Sequence, residues 1–165
     1  MRPLIEKLYQ TLITAGNAMQ PALLLLVRLY WGWQFIQTGW GKITNLEKVT
    51  SFFTTLGIPA PGLNAAFVSG LELFGGALLL IGLCSRPIAL MMTVNMLVAY
   101  ITADREALLS ILSDPGKFYG ATPYTFLFAA LLVLVFGPGR YSVDALLGPR
   151  LQASPVKQQH RAAAS

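Results

Sequence analysis

LVRLYWGWQFIQTGWGK, residues 26–42, reads as a membrane span except that Arg28 stands where hydrocarbon should be. The chain around it decides whether the hydrocarbon is real. Of its 165 residues 55% are apolar and 12% charged, with a mean hydropathy of +0.58. Soluble domains carry about 25% charged residues, so half the usual complement is missing. Four apolar stretches hold the excess: Ala22–Trp40, Ala65–Cys84, Ile88–Ala103 and Tyr124–Phe136. A helical span needs about 20 residues, which the first two supply and the others reach with flanking residues such as Pro123 and Gly137. The sequence therefore predicts an all-α membrane protein, a four-transmembrane-helix bundle over residues 22–147. An N-terminal interfacial segment, residues 1–21, has Leu4, Ile5, Leu8 and Leu12 at helical spacing. Residues 148–165 form a cytoplasmic tail without apolar periodicity, expected to be disordered.

With four spans, both termini and the Ser85–Arg86–Pro87 turn share one side, which carries Arg2, Lys7, Arg86, Arg140, Arg150, Lys157 and Arg161. The other side carries Lys42, Lys48, Arg105 and Lys117. The excess places both termini in the cytoplasm of a bacterial inner membrane. The net charge of +5 then reflects topology and points to a lipid bilayer as partner, with no nucleic acid. One cysteine, Cys84, and one histidine, His160, are too few for a dithiol, haem or Fe–S mechanism, so no metal and no intrinsic cofactor is expected.

The outer loops carry short amphipathic interfacial helices. In ITNLEKVTSFFTTLGIPAPG, residues 43–62, Ile43, Leu46, Val49, Phe53 and Leu56 form one stripe. Thr44 and Glu47 have capping-box spacing there, and Gly57 fits a helix stop. Ala107, Leu108, Ile111 and Leu112 repeat the theme in the second loop. Both could cover a ligand at the bundle mouth, or simply pack at the interface.

At 100° per residue, Arg28, Gly32, Phe35, Gly39 and Lys42 gather within about 60° of the first span. Glycines there let a neighbouring helix approach closely. A central arginine costs about 2.5–3.5 kcal/mol to insert, so it should face inward and find a partner. Glu72 is the single acid within a span, on a face with Ser69, Gly75 and Gly76, and an Arg28–Glu72 pair is predicted. Asn95 on the third span and Tyr100 at its outer end complete the buried polar candidates. Such a pair can serve chemistry or only fix helix register. Trp40 reads as a belt anchor, whereas Trp31 and Trp33 read as packing between helices, with stacking on a flat ligand as the alternative. Gln34 and Gln37, on the opposite face, could mark a second interface; the oligomeric state is not legible.

LVRLYWGWQFIQTGWGKI, FFTTLGIPAP, SGLELFGGALLLIGLCSRPIAL and FGPGRYSVDALL together resemble, in order and spacing, the DoxX family of small four-helix bacterial membrane proteins. The resemblance marks Arg28, Gly39, Lys42, Glu72, Gly75, Gly76, Arg86 and Asp144 as signature positions. The chain departs from it at Tyr124-Thr125, where relatives often carry an acid, and lacks a histidine at the end of the third span. The resemblance implies a membrane subunit of a quinone-linked oxidoreductase, in sulfur oxidation or in thiol and oxidative-stress metabolism. A soluble reductase or other redox subunit would be its partner and a bound quinone its ligand, with Arg28, Asn95 and Tyr100 as donors and Glu72 handling protons. No catalytic residue is assigned. The alternative is a non-enzymatic scaffold that anchors soluble proteins, with Arg28–Glu72 as structural glue.

Overall fold

The computed structural model describes residues 2–151, which contain eight helices and no strand. They are α1 Arg2–Thr44, α2 Leu46–Thr55, α3 Pro61–Ile81, α4 Ser85–Thr102, α5 Arg105–Leu109, α6 Pro115–Gly120, α7 Pro123–Phe136 and α8 Val143–Leu151. Pro61, Pro115 and Pro123 open their helices at positions where the missing N–H has no intrahelical partner anyway. Two helices, α1 and α3, are long and apolar enough to cross a membrane. Of the other two long helices, α4 has 18 residues and α7 has 14.

The four longest helices touch in the cyclic order α1, α3, α4, α7. Glycines set the α1–α3 contact. A Cβ on Gly39 would collide with the backbone of Leu73, and one on Gly76 would lie 2.8 Å from Phe35 Cβ and 2.9 Å from the Gly32 carbonyl oxygen. Backbone therefore meets backbone, as it does where small residues line helix crossings in lipid. Gly39 faces Leu73, Gly32 faces Gly76 and Leu80, and Arg28 faces Gly82, so the two helices run antiparallel. On the other side, Gly75 admits Met92 and Ile88 of α4. Between α1 and α7, Phe126 packs against Phe35 at 4.7 Å and Trp31 at 5.1 Å between ring centroids. Large apolar side chains on the outer faces, among them Trp33, Phe67, Phe74, Val94, Leu97, Phe128 and Val135, are exposed.

Residues 2–21 are not a separate segment, because α1 runs unbroken through Pro21 for 43 residues. At 1.5 Å per residue the helix is about 65 Å long, roughly twice a hydrocarbon core. Its first half, Leu4–Met19, packs against nothing: every side chain there is exposed. At the other end of the chain, helix α8 carries past residue 148, the expected start of the tail. Residues 152–165, with His160, lie outside the described residues.

The expected α2 is present, but Thr44 is the last residue of α1 and makes no capping box; its hydroxyl donates to the carbonyls of Trp40 and Gly41. Helix α2 stops at Gly57 (φ +70°), where Ile58 N–H returns to the Phe53 carbonyl.

Candidate functional site

Beneath α2 the bundle opens into a cavity of about 410 Å³. The floor is polar. Glu72 of α3, 1% exposed, accepts through Oε1 from Lys42 Nζ of α1 at 2.6 Å and from Asn95 Nδ2 of α4 at 3.2 Å. The other oxygen, Oε2, is buried with no hydrogen-bond partner. Phe35, Met96, Ala99 and Phe126 line the walls, and Val49 and Phe53 of α2, with Leu56 just past its end, lie over the top. Three residues of the expected stripe, Val49, Phe53 and Leu56, therefore face a cavity, while Ile43 and Leu46 do not line it. The second outer loop reaches this cavity only with its ends, at Asp104, Thr122 and Pro123, and not with Leu108, Ile111 or Leu112. Ala107 and Phe118, in α5 and α6, belong to the core instead.

Each polar group reaches the floor for a local reason. Lys42 and Gly39 share the inward stripe of α1, and the Gly39–Leu73 contact brings α3 close enough for the lysine to reach back one turn to Glu72. Lys42 keeps 35% of its side chain exposed, so the pair is sealed from solvent on the glutamate side and not on the lysine side. Asn95 sits one turn from Met92, the residue that fills the groove at Gly75. An ammonium, a carboxylate and an amide thus converge in an apolar enclosure. Together they can bind an uncharged polar head, donating from Lys42 and accepting at Glu72 Oε2.

The predicted Arg28–Glu72 pair does not form. Glu72 pairs with Lys42, and Arg28 lies at the opposite end of the bundle, level with Gly82. Along α1, Arg28 and Gly39 are about 16 Å apart, too far for one side chain to span. Arg28, 2% exposed, donates through Nη2 to the Tyr141 carbonyl, and the Asp144 carboxylate acts on it from beyond direct contact. Asp144 has a second task. Its Oδ1 and Oδ2 accept from the backbone N–H groups of Cys84 and Ser85, each at 2.8 Å, capping α4. That grip holds Cys84 at φ +49°, a conformation unfavourable for a residue with a Cβ. Gly82, at φ +74°, has no room for a side chain beside the Arg28 guanidinium. Exposed Arg86 lies along Gly137.

Tyr100 is also away from the cavity. Five residues beyond Asn95 it points about 140° around α4. Its hydroxyl donates to the Phe118 carbonyl at 2.8 Å, and its ring stacks on Phe118. It anchors α6 and offers no donor to a ligand. Trp33, expected between helices, is 54% exposed, as Trp40 is at the same outer surface. Gln37 is exposed and Gln34 half-buried. The residue missed as Glu72's partner is Lys42. Its signal was present, since it ends the same glycine-bearing stripe as Arg28.

A helical bundle with a buried carboxylate, an apolar exterior and helices long enough to cross a bilayer belongs among membrane proteins. The DoxX family model matches residues 23–105, and the chain belongs to the DoxX family. The match takes in Arg28, Lys42, Glu72 and Asn95 but not Asp144. Among its relatives, the inner membrane protein YqjF of Escherichia coli is 30% identical over 76% of this chain and 92% of its own length. The membrane protein Rv3486 of Mycobacterium tuberculosis, whose name calls it uncharacterized, is 28% identical over 83% of this chain and 88% of its own. A Bacillus subtilis relative named "Putative oxidoreductase CatD" is 30% identical over 50% of this chain and 60% of its own. No solved structure matches.

Proposed function

We propose that this chain is the membrane subunit of a quinone-linked oxidoreductase, and that the cavity above Glu72 is its quinone site. The carrying observation is a buried carboxylate with one unpaired oxygen, flanked by an ammonium and an amide, at the bottom of an apolar cavity closed by an amphipathic helix. The residues fit such a ligand. The volume of about 410 Å³ is of the size that binds small organic molecules, and aromatic walls with a few converging polar groups are their usual lining. Lys42 would donate to a ring oxygen, Glu72 would exchange a proton, and Phe35 and Phe126 would hold the ring. A quinone bound there would supply two-electron, two-proton chemistry, with the electrons coming from a soluble reductase. The oxidoreductase name of the Bacillus subtilis relative supports this assignment.

Large exposed apolar residues on α1, α3, α4 and α7 support four membrane spans, with α2, α5 and α6 lying at one interface. The excess of basic residues on the side of Arg86 and Arg140 supports cytoplasmic termini. The inner-membrane name of the Escherichia coli relative supports the compartment.

Quinone per chain after purification in native lipid tests the reading, compared with Ala99→Phe, which fills the cavity. Near-stoichiometric quinone that falls to lipid background in the folded variant supports it. Background in both proteins would end it and favour a second reading, a non-enzymatic scaffold for soluble proteins. The exposed apolar residues of Leu4–Met19 on the long α1 favour that alternative.

A further inference from the structure

The cavity floor is unbalanced in a way that bears on the redox state of its ligand. Glu72 Oε1 is doubly satisfied, by Lys42 and Asn95, while Oε2 is buried and accepts nothing. It is the one buried side-chain oxygen or nitrogen without a partner at this end of the bundle; among the described residues the others, Arg28 Nε and Nη1 and Ser85 Oγ, lie at the far end. An ion-paired carboxylate is acceptor-only. The spare donors of Lys42 belong to a side chain one-third exposed, so they demand less from a ligand than the buried Oε2 does.

Resting on the quinone reading above, we propose that the site selects the reduced, dihydroxy form of a quinone over the oxidised form, and that Glu72 Oε2 is the selecting atom. An oxidised quinone ring brings only acceptors. Against Oε2 it would set lone pair against lone pair and leave the carboxylate oxygen unpaired in an apolar enclosure. A ring hydroxyl donates to it and closes the floor. Hydrogen bonds to charged groups are strong enough that the preference should be about tenfold or more. Selection of the reduced form makes the bound ligand easier to reduce, which suits a subunit that takes electrons from a reductase.

The test is equilibrium binding of a decyl-chain benzoquinone and of its quinol, kept reduced anaerobically, to the full chain in nanodiscs, with empty nanodiscs subtracted. Quinol binding at least about tenfold tighter than quinone is expected. Glu72→Gln sharpens the assignment. Its amide oxygen should turn to Lys42 and Asn95, placing an amide N–H where Oε2 was, so the preference should fall at least about tenfold, toward the quinone. A folded Glu72→Gln protein that keeps the wild-type preference would remove Oε2 from the selecting role. Should that variant not fold, the wild-type comparison decides alone. Equal affinities, or tighter quinone, overturn the selection while leaving a quinone site standing. Neither form exceeding the empty nanodisc overturns both the selection and the quinone reading.

Discussion

The two ends of the bundle each bury a charge, and they treat it in opposite ways. At the Arg28 end the guanidinium is wedged beneath a tight turn, against Gly82 and the Tyr141 carbonyl, beside a crevice of about 10 Å³. Asp144 closes that end by gripping the first N–H groups of α4. At the Glu72 end the carboxylate opens into about 410 Å³, with one oxygen idle and a helix as roof. A charge with no space beside it can only hold parts together. A charge facing a cavity can meet a ligand. The contrast sets the packed Arg28 and Asp144 against Lys42, Glu72 and Asn95, the residues on which the proposed function rests.

Substitutions at the two ends can break or sharpen this division. The largest effect is expected at Gly39, where a valine side chain would be driven into the Leu73 backbone. Overpacking of this kind costs about 3 kcal/mol or more where backbone must move, so Gly39→Val should yield no folded protein by size-exclusion chromatography. Gly41→Ala, with nothing near its side, should behave as wild type. Asp144→Ala comes next. It removes both caps from the turn and should lower stability by about 3 kcal/mol in thermal unfolding, while ligand binding at the far cavity stays unchanged in the protein that remains folded. Lost binding with intact stability would reverse the assignment of the two ends.

Lys42→Met should cost about 2 kcal/mol by stranding the Glu72 carboxylate, less than for a fully buried pair because the lysine is partly exposed. Adding Glu72→Gln should recover most of that stability but not the binding of the quinol. A double variant that recovers both would make the pair glue. The smallest effect belongs to Lys117 and Glu106, paired at 2.9 Å on the surface of the second outer loop. The hydrogen bond from Lys117 and its charge hold Glu106 below the usual carboxylate range. The stability this contributes is present above the ordinary carboxylate pKa and lost as pH falls through the lowered one. Because the pair is exposed, Lys117→Met should leave the melting temperature unchanged in physiological salt, while carboxyl NMR shows Glu106 titrating at higher pH.

Local chemistry made much of this legible. The stripe Arg28, Gly32, Phe35, Gly39, Lys42 does face inward, because an uncompensated charge and a naked backbone both need a neighbour. The amphipathic α2 was readable from its period and its Gly57 stop. Asp144 stood out only as a signature position of the resemblance, because the turn it caps lies about 60 residues earlier in the chain. Tyr100 was misplaced because depth along a helix was weighed without the angle around it. The cavity itself was not legible. It exists where four helices and a roof fail to fill space, and no single segment encodes that.

From the sequence alone came the four long apolar helices and α2, the inward stripe and the identity of the buried charges, since each depends on residues within a few turns of one another. Which cation meets Glu72 was decided only in the tertiary structure. Arg28 and Lys42 stand on the same face of one helix, and intrahelical geometry cannot choose between them. The choice falls to the register of α3 against α1, set where Gly39 and Gly76 let the backbones meet. That register carries Glu72 to Lys42 and leaves Arg28 to the far turn.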